Sequence, residues 1–408
     1  MIPAELRPHR DYLRLWCARL LGVAVQQMMM VALGWQLYEL TASAWDLGLM
    51  GLLQFGPSIV LVLPAGQVVD RVHRARLLSV CFGLLCAVAA LLAFSTFTGQ
   101  LQRPLILALA LALGAIKAFQ MPAQQAVVPL LVPAAVLPRA LAFSSMGLQA
   151  AVIGGPALGG LMLSAGPAVL FSTCAAGFAA AALLCLRVRH AQPEAVGRAD
   201  WHTLWAGVRF VRGQPVLLGA MALDLSAVLL GGATALLPMF AKDVLHVGPQ
   251  GLGLLRGAPA VGALLMSLTL SRWPITRRAG PKLLWAVAAY GAATLVFGLS
   301  SHFALSLAAL AATGAADMVS VVVRHTLVQL ETPDDMRGRV SAVNSLFINA
   351  SSQLGEFESG ATAALLGPVG SVVLGGFGAI ALAGLWRRWF PALAQRDALV
   401  PIRHPGSD

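Results

Sequence analysis

Gly114-Ala115-Ile116-Lys117-Ala118-Phe119 and its counterpart Gly314-Ala315-Ala316-Asp317-Met318-Val319, 200 positions later, decide the fold. Each places one ionisable group inside an apolar run, and the register extends outward from both. Pro133 answers Pro333, Arg139 answers Arg339, Ala142 answers Ala342 and Ser145 answers Ser345. At a shift of 205, Arg19 answers Asp224, Leu40 answers Leu245, and Leu47-Gly48-Leu49 answers Leu252-Gly253-Leu254. Two related halves with charges inside their spans read as a transporter with a central site between repeats.

Composition supports a membrane setting. The chain of 408 residues is 58% hydrophobic and 11% charged, whereas a soluble domain holds about 45–50% apolar and about 25% charged residues. Twelve apolar stretches are long enough for ~30 Å of hydrocarbon. They lie near 13–40, 45–69, 77–98, 104–130, 138–164, 168–187, 216–241, 250–272, 282–301, 303–330, 339–366 and 368–390. The expectation is an all-α membrane protein of twelve transmembrane helices in two six-helix pseudo-symmetric halves. Residues 1–187 form the first half, 188–215 a cytoplasmic linker, 216–391 the second half and 392–408 a cytoplasmic tail. The basic first residues, with no small-residue cleavage site after a short apolar run, make the first span a retained anchor.

The net charge of +11 comes from loops. Of the 28 Lys and Arg, only Arg103 and Lys242 fall in outer loops, and Arg19, Lys117, Arg256 and Arg324 fall within spans. The others flank cytoplasmic ends when both termini face the cytoplasm, which satisfies the positive-inside bias and argues against nucleic acid as a partner. Trp16, Trp35, Trp45, Trp273, Trp386 and Trp389 sit near span ends, as an aromatic belt requires. In the linker, Trp201, Leu204, Trp205, Val208 and Val211 recur at helical spacing with Arg209 and Arg212, which predicts an interfacial amphipathic helix acting as a tether. The five cysteines lie in apolar segments and read as packing residues without metal-ligand spacing.

After the second span comes Gly66-Gln67-Val68-Val69-Asp70-Arg71-Val72-His73-Arg74-Ala75-Arg76. Topology accounts for the basic residues but not for Asp70. The stretch resembles the cytoplasmic loop signature of the major facilitator superfamily, with His73 where glycine is usual. The resemblance implies a cytoplasmic gate of Gly66, Asp70, Arg71 and Arg74, with Arg337 and Arg339 at the start of span eleven as partners; Asp334 and Asp335 read as helix-start acids. In span five, Gly154-Gly155-Pro156-Ala157-Leu158-Gly159-Gly160 resembles the exporter-type helix motif of that superfamily, carried by Gly155, Pro156, Gly159 and Gly160. Ala151 stands where that motif opens with glycine. Proline kinks the helix and the glycines admit close neighbours.

The chain is similar along nearly all its length to the enterobactin-exporter-like family, which is related to macrolide efflux proteins. Gly34-Trp35-Gln36-Leu37-Tyr38-Glu39-Leu40-Thr41, Leu223-Asp224-Leu225 and Met336-Arg337-Gly338-Arg339-Val340-Ser341-Ala342-Val343-Asn344 carry the similarity, together with Leu354-Gly355-Glu356-Phe357-Glu358-Ser359-Gly360. The resemblance implies siderophore export, enterobactin being an example, with macrolide or multidrug efflux as the alternative. A nutrient importer or a non-transporting ligand sensor stays open.

A charge in hydrocarbon costs at least ~2.5–3.5 kcal/mol on insertion scales, so each should face protein or a wet cavity. The cations Arg19, Lys117, Arg256 and Arg324 match the acids Asp224, Asp317, Glu356 and Glu358 in number, which suggests mutual pairing. Asp224, Asp317, Glu356 and Glu358 are the proton-coupling candidates. Arg19, Lys117, Arg324 and His325 are the cavity and substrate candidates, and Arg256 is expected to pair with Glu356 or Glu358. Proton uptake when the cavity opens, and release when an acid closes against a cation, would couple the gradient to cargo. There is no Gly-x-x-x-x-Gly-Lys loop, His-Glu-x-x-His or Gly-x-Ser-x-Gly pattern to indicate catalysis, and no metal or cofactor is expected. The reading is a bacterial inner-membrane, proton-coupled exporter, monomeric, with a small organic cargo.

Overall fold

The computed structural model describes residues 4–133, 135–189 and 201–397. Residues 190–200 of the expected linker and the tail beyond Asp397 lie outside the described residues. The chain divides into two compact units, Met1–Ala199 with Pro238–Gly257, and Asp200–Leu237 with Ala258–Asp408.

Unit one contains α1 (Arg10–Thr41), α2 (Ala44–Val60), α3 (Val62–Arg71), α4 (Arg74–Phe97), α5 (Arg103–Val127), α6 (Leu137–Leu163) and α7 (Pro167–Leu186). The Ser43 side chain caps α2 by accepting the Asp46 amide. Pro104 and Pro167 open α5 and α7, where a missing N–H costs nothing. The expected second span is broken at Leu61, just after Pro57, into α2 and α3; proline removes a backbone donor at that point.

Unit two begins with α8 (Trp201–Gly213) and α9 (Pro215–Leu230). The chain then passes through a 3-10 turn (Ala233–Leu236) and a short α10 (Leu237–Met239), contributes a π turn (Phe240–Val244) and the first part of α11 (Gly248–Arg272) to unit one, and returns to unit two at Ala258. After these come α12 (Ala279–Leu299), α13 (Phe303–Glu331), α14 (Asp334–Trp389) and α15 (Pro391–Ala394). The long α14 holds both expected spans eleven and twelve, since Gly367, with φ 76°, interrupts it ahead of Pro368. Among the described residues ten helices are long and apolar enough to cross a membrane. The divided α14 and the broken α2–α3 pair make this consistent with twelve crossings.

Span seven also differs from its expected continuous form, because Gly231 and Gly232 each sit under a neighbour. A Cβ on Gly231 would come within 2.4 Å of the Tyr290 hydroxyl, and one on Gly232 within 2.2 Å of the Gly355 carbonyl. The sequence repeat has a physical counterpart. A Cβ on Gly114 would meet the Gln54 carbonyl at 2.1 Å, and one on Gly314 the Pro259 carbonyl at 1.8 Å. Gln54 and Pro259 stand 205 apart, so within each unit the same close backbone crossing recurs.

The outer faces are apolar. Phe94, Trp285, Leu365 and Phe377 are all exposed, a surface suited to lipid rather than water. Two of the expected belt tryptophans are instead core residues. Trp35 is buried, and buried Trp386 donates its indole N–H to the Gly219 carbonyl at 2.9 Å. Cys81, Cys174 and Cys185 are buried, whereas Cys17 is exposed. The linker helix α8 docks one face within unit two: Val211 joins a core with Leu217, Met221, Val340 and Val343, while Trp205, Arg209 and Arg212 stay exposed. The side chains of Trp201 and Leu204 lie outside the described set.

Candidate functional site

Asp224 on α9 and Arg324 on α13 form an ion pair in unit two, with side chains 6% and 3% exposed. A buried charge is costly unless a partner or a polar cavity answers it. The pair is not fully satisfied, since Arg324 Nε makes no hydrogen bond. Asp317 lies two turns before Arg324 on α13, on the same face. It is half-buried and has no ion pair or hydrogen bond among the described residues.

A cavity of about 250 Å³ joins these groups. Asp224, Asp317 and Arg324 line it with Tyr290, Thr294, Thr313 and Ser352, while Val228, Pro259, Phe297, Leu310, Val321 and Ile348 supply the apolar wall. Tyr290 is held by donating its hydroxyl to the Gly231 carbonyl at 2.9 Å, and the absent Cβ of Gly231 gives the ring its place. The volume is below the ~300–1,000 Å³ of drug-sized ligand sites. It suits protons, water or a fragment of cargo rather than a whole organic molecule.

The other candidates fall in different places. His325 is exposed and does not line this cavity; one residue along a helix turns a side chain about 100°, away from the Arg324 face. Glu356 and Glu358 are half-buried on α14 and lie off the cavity wall, Glu358 reaching Ser359 Oγ at 3.5 Å. In unit one, Lys117 is half-buried on α5 and forms no ion pair among the described residues. Arg19, on α1, faces a separate groove with Trp16, Leu20, Ser144 and Leu148. Of the expected pairings, Asp224 with Arg324 is present, whereas Lys117, Arg19 and Asp317 form no ion pair among the described residues; Arg256 and Glu356 are half-buried on α11 and α14.

Of the expected gate, Gly66 lies midway along α3, Arg71 ends it, and exposed Arg337 and Arg339 lie in the first turns of α14. The side chains of Asp70, Asp334 and Asp335 lie outside the described set. The glycines on either side of the proline in α6 have a definite packing role. A Cβ on Gly155 would lie 2.8 Å from the Ala24 carbonyl, one on Gly159 2.8 Å from Met28 Cα, and one on Gly160 2.5 Å from the Pro249 carbonyl and 2.9 Å from Gly253 Cα. Gly160→Val is expected to force α6 from the start of α11 at a cost of about 1–3 kcal/mol. Its thermal midpoint in detergent should fall clearly, whereas Gly154→Ala, with nothing within 4 Å of the added carbon, should leave it unchanged.

Sequence reasoning missed three groupings. Tyr290 is hidden in an apolar run. Arg103 makes a two-pronged contact with buried Asp46 at 2.8 and 2.7 Å. Tyr38 donates to Asp243, beside Lys242, whose ammonium lies 4.0 Å from Glu39 and 5.8 Å from the Tyr38 ring centre. Its only sequence signal was the pair of charges at the end of span seven.

The family model described as a transmembrane secretion effector matches residues 5–402. The chain belongs to that family of major facilitator transporters. It is 26% identical over 378 residues to the enterobactin exporter EntS of Shigella dysenteriae serotype 1 (strain Sd197), covering 91% of this chain and 90% of that protein. The enterobactin exporter EntS of Escherichia coli O1:K1 / APEC is likewise 26% identical, over 380 residues, with 91% and 90% covered. The fold matches that of a bacterial homologue of the human lysosomal transporter Spinster, with TM-score 0.72 and 15% identity, over 95% of this chain and 98% of that one. It also matches the nucleoside transporter NupG, with TM-score 0.70 and 15% identity over 94% and 99%. A family member of this kind is a multi-pass protein of the bacterial inner membrane.

Proposed function

We propose that this family member is a proton-coupled exporter of a small organic molecule, with the Asp224–Arg324–Asp317 cavity as its coupling site. The observation that carries the reading is a buried ion pair sharing one cavity with a second carboxylate that has no ion pair among the described residues. Such an arrangement has two protonation patterns of comparable cost, which a change in water access can interconvert. The unsatisfied Nε of Arg324 favours a pair that can separate over one locked for packing.

By analogy with the named relatives the cargo is a siderophore of the enterobactin kind, and Lys117 is a cation available to an acidic group on it. The second reading is a hydrophobic drug such as a macrolide, of which the apolar half of the cavity wall would meet only a part. We assign the halves to 1–187 and 216–391, both termini to the cytoplasm, and Asp70 with Arg71 and Arg74 to closure of the cytoplasmic end. The protein works as a monomer.

Everted membrane vesicles test this directly. An imposed gradient, acid inside, should drive accumulation of enterobactin inside them, and an uncoupler should abolish it. Accumulation of erythromycin but not enterobactin would select the drug reading. Accumulation that ignores the gradient would remove proton coupling.

A further inference from the structure

Arg19 is a guanidinium about nine residues into α1, roughly 14 Å along the helix axis. Its Nε is buried and makes no hydrogen bond, and no carboxylate pairs with it among the described residues. Charge at this depth is tolerated only where something polar or anionic answers it. In unit two the buried cation Arg324 has Asp224. In unit one the position facing Arg19 is a groove.

That groove is built rather than incidental. Trp16, one turn before Arg19, forms its aromatic wall and is fixed from three sides. Its ring stacks on Phe143 with centroids 4.7 Å apart, its indole N–H points to the Phe143 carbonyl at 3.4 Å, and a Cβ on Gly147 would come within 2.8 Å of that nitrogen. Ser144 lies on the opposite wall with Leu148. Tyr12 commits its proton to the Ala140 carbonyl at 2.7 Å and meets Ser144 Oγ at 3.0 Å. With that proton committed, the Ser144 hydroxyl donates to the Tyr12 oxygen, and an arriving anion would draw it away as the stronger acceptor. The groove has a volume of only about 10 Å³, room for one water, so a single oxygen of an oxyanion would enter it while the rest of the head stays at its open mouth.

We infer that Arg19, Ser144 and Trp16 form an oxyanion subsite that takes a carboxylate or phosphate head, with the flat indole face against an attached ring or chain. The planar guanidinium fork matches two-oxygen heads, which a lysine's point charge does not. The export reading enters only in naming the anion as part of the cargo; binding itself requires no flux and no proton gradient. Two sources share this chemistry, a soluble aromatic acid and the headgroup of an anionic lipid.

The test uses the full chain in phosphatidylcholine nanodiscs with radiolabelled salicylate as the probe, so a failure of proton coupling leaves it intact. Wild type should bind saturably and methyl salicylate should not compete. Arg19→Gln should weaken binding by about tenfold or more, the effect of losing a charge-assisted contact. Arg19→Lys, which keeps the charge and guards against misfolding as the cause, should fall between. Unchanged salicylate affinity as phosphatidylglycerol is added identifies the soluble acid as occupant. Displacement by phosphatidylglycerol that disappears in Arg19→Gln identifies the lipid. Salicylate and phosphatidylglycerol binding that are both absent, or both indifferent to Arg19→Gln, would overturn the subsite.

Discussion

Arg324→Ala is expected to destabilise the protein by about 3–5 kcal/mol, because it strands the buried Asp224 carboxylate without its counter-charge. Asp224→Ala should do comparable damage by stranding Arg324, whose Nε already lacks a partner. Native stability is only about 5–15 kcal/mol, so both single variants should show sharply reduced membrane abundance and a lowered thermal midpoint on size-exclusion chromatography. The double variant Asp224→Leu/Arg324→Met should recover most of that loss, since an apolar pair of similar volume removes both desolvation penalties. It should nevertheless transport nothing. Additive losses in the double variant would show that the two groups are not energetically coupled, and a double variant that still exports would make the pair a packing device.

The span pattern was legible because a membrane helix needs an apolar run of defined length, and the repeat gave two independent sightings of each feature. The break at Gly231–Gly232 was not legible in the same way, whereas the one at Leu61 follows Pro57. The glycine break depends on what approaches from elsewhere, the Tyr290 ring on Gly231 and the Gly355 carbonyl on Gly232. Sequence alone marks glycine as permissive and cannot name the visitor. Trp386 misled for a related reason. Position near a span end suits an interfacial tryptophan, but here a carbonyl at Gly219 receives its N–H inside the core.

Asp224, Asp317 and Arg324 could be singled out because intramembrane charge is rare and costly. Their partnership could not, since it depends on which faces of α9 and α13 meet. Mirrored positions in the repeat suggested that acids and cations answer each other across halves, yet Asp224 finds its cation within its own unit. His325 shows the limit from the other side, because adjacency in sequence carried it about 100° off the cavity face. The inventory of charge still proved informative in an unexpected way. Arg19 and Lys117 in unit one and Asp317 in unit two each remain without an ionic partner among the described residues. A balanced sum therefore conceals groups left available for ligands and protons.

Asp317→Asn is expected to abolish concentrative export entirely while sparing the fold. Unlike Asp224, Asp317 neutralises no buried cation in this conformation, so replacing its carboxylate by an amide of the same shape strands nothing. The asparagine cannot gain and lose a proton, and a cavity that opens alternately to two sides then carries no proton between them. Enterobactin should still bind and exchange down its gradient in Asp317→Asn vesicles, whereas accumulation under an imposed gradient should vanish. Asp317→Glu, which restores an acid at some cost in fit, should regain part of the accumulation. Loss of accumulation together with loss of downhill exchange would place Asp317 in cargo binding instead. Full accumulation with the wild-type dependence on pH would leave Asp317 a structural polar group, and coupling would then have to reside in Asp224 or in Glu356 and Glu358 on α14. Because abundance is predicted to stay near wild type, each of these results can be read as chemistry and not as misfolding.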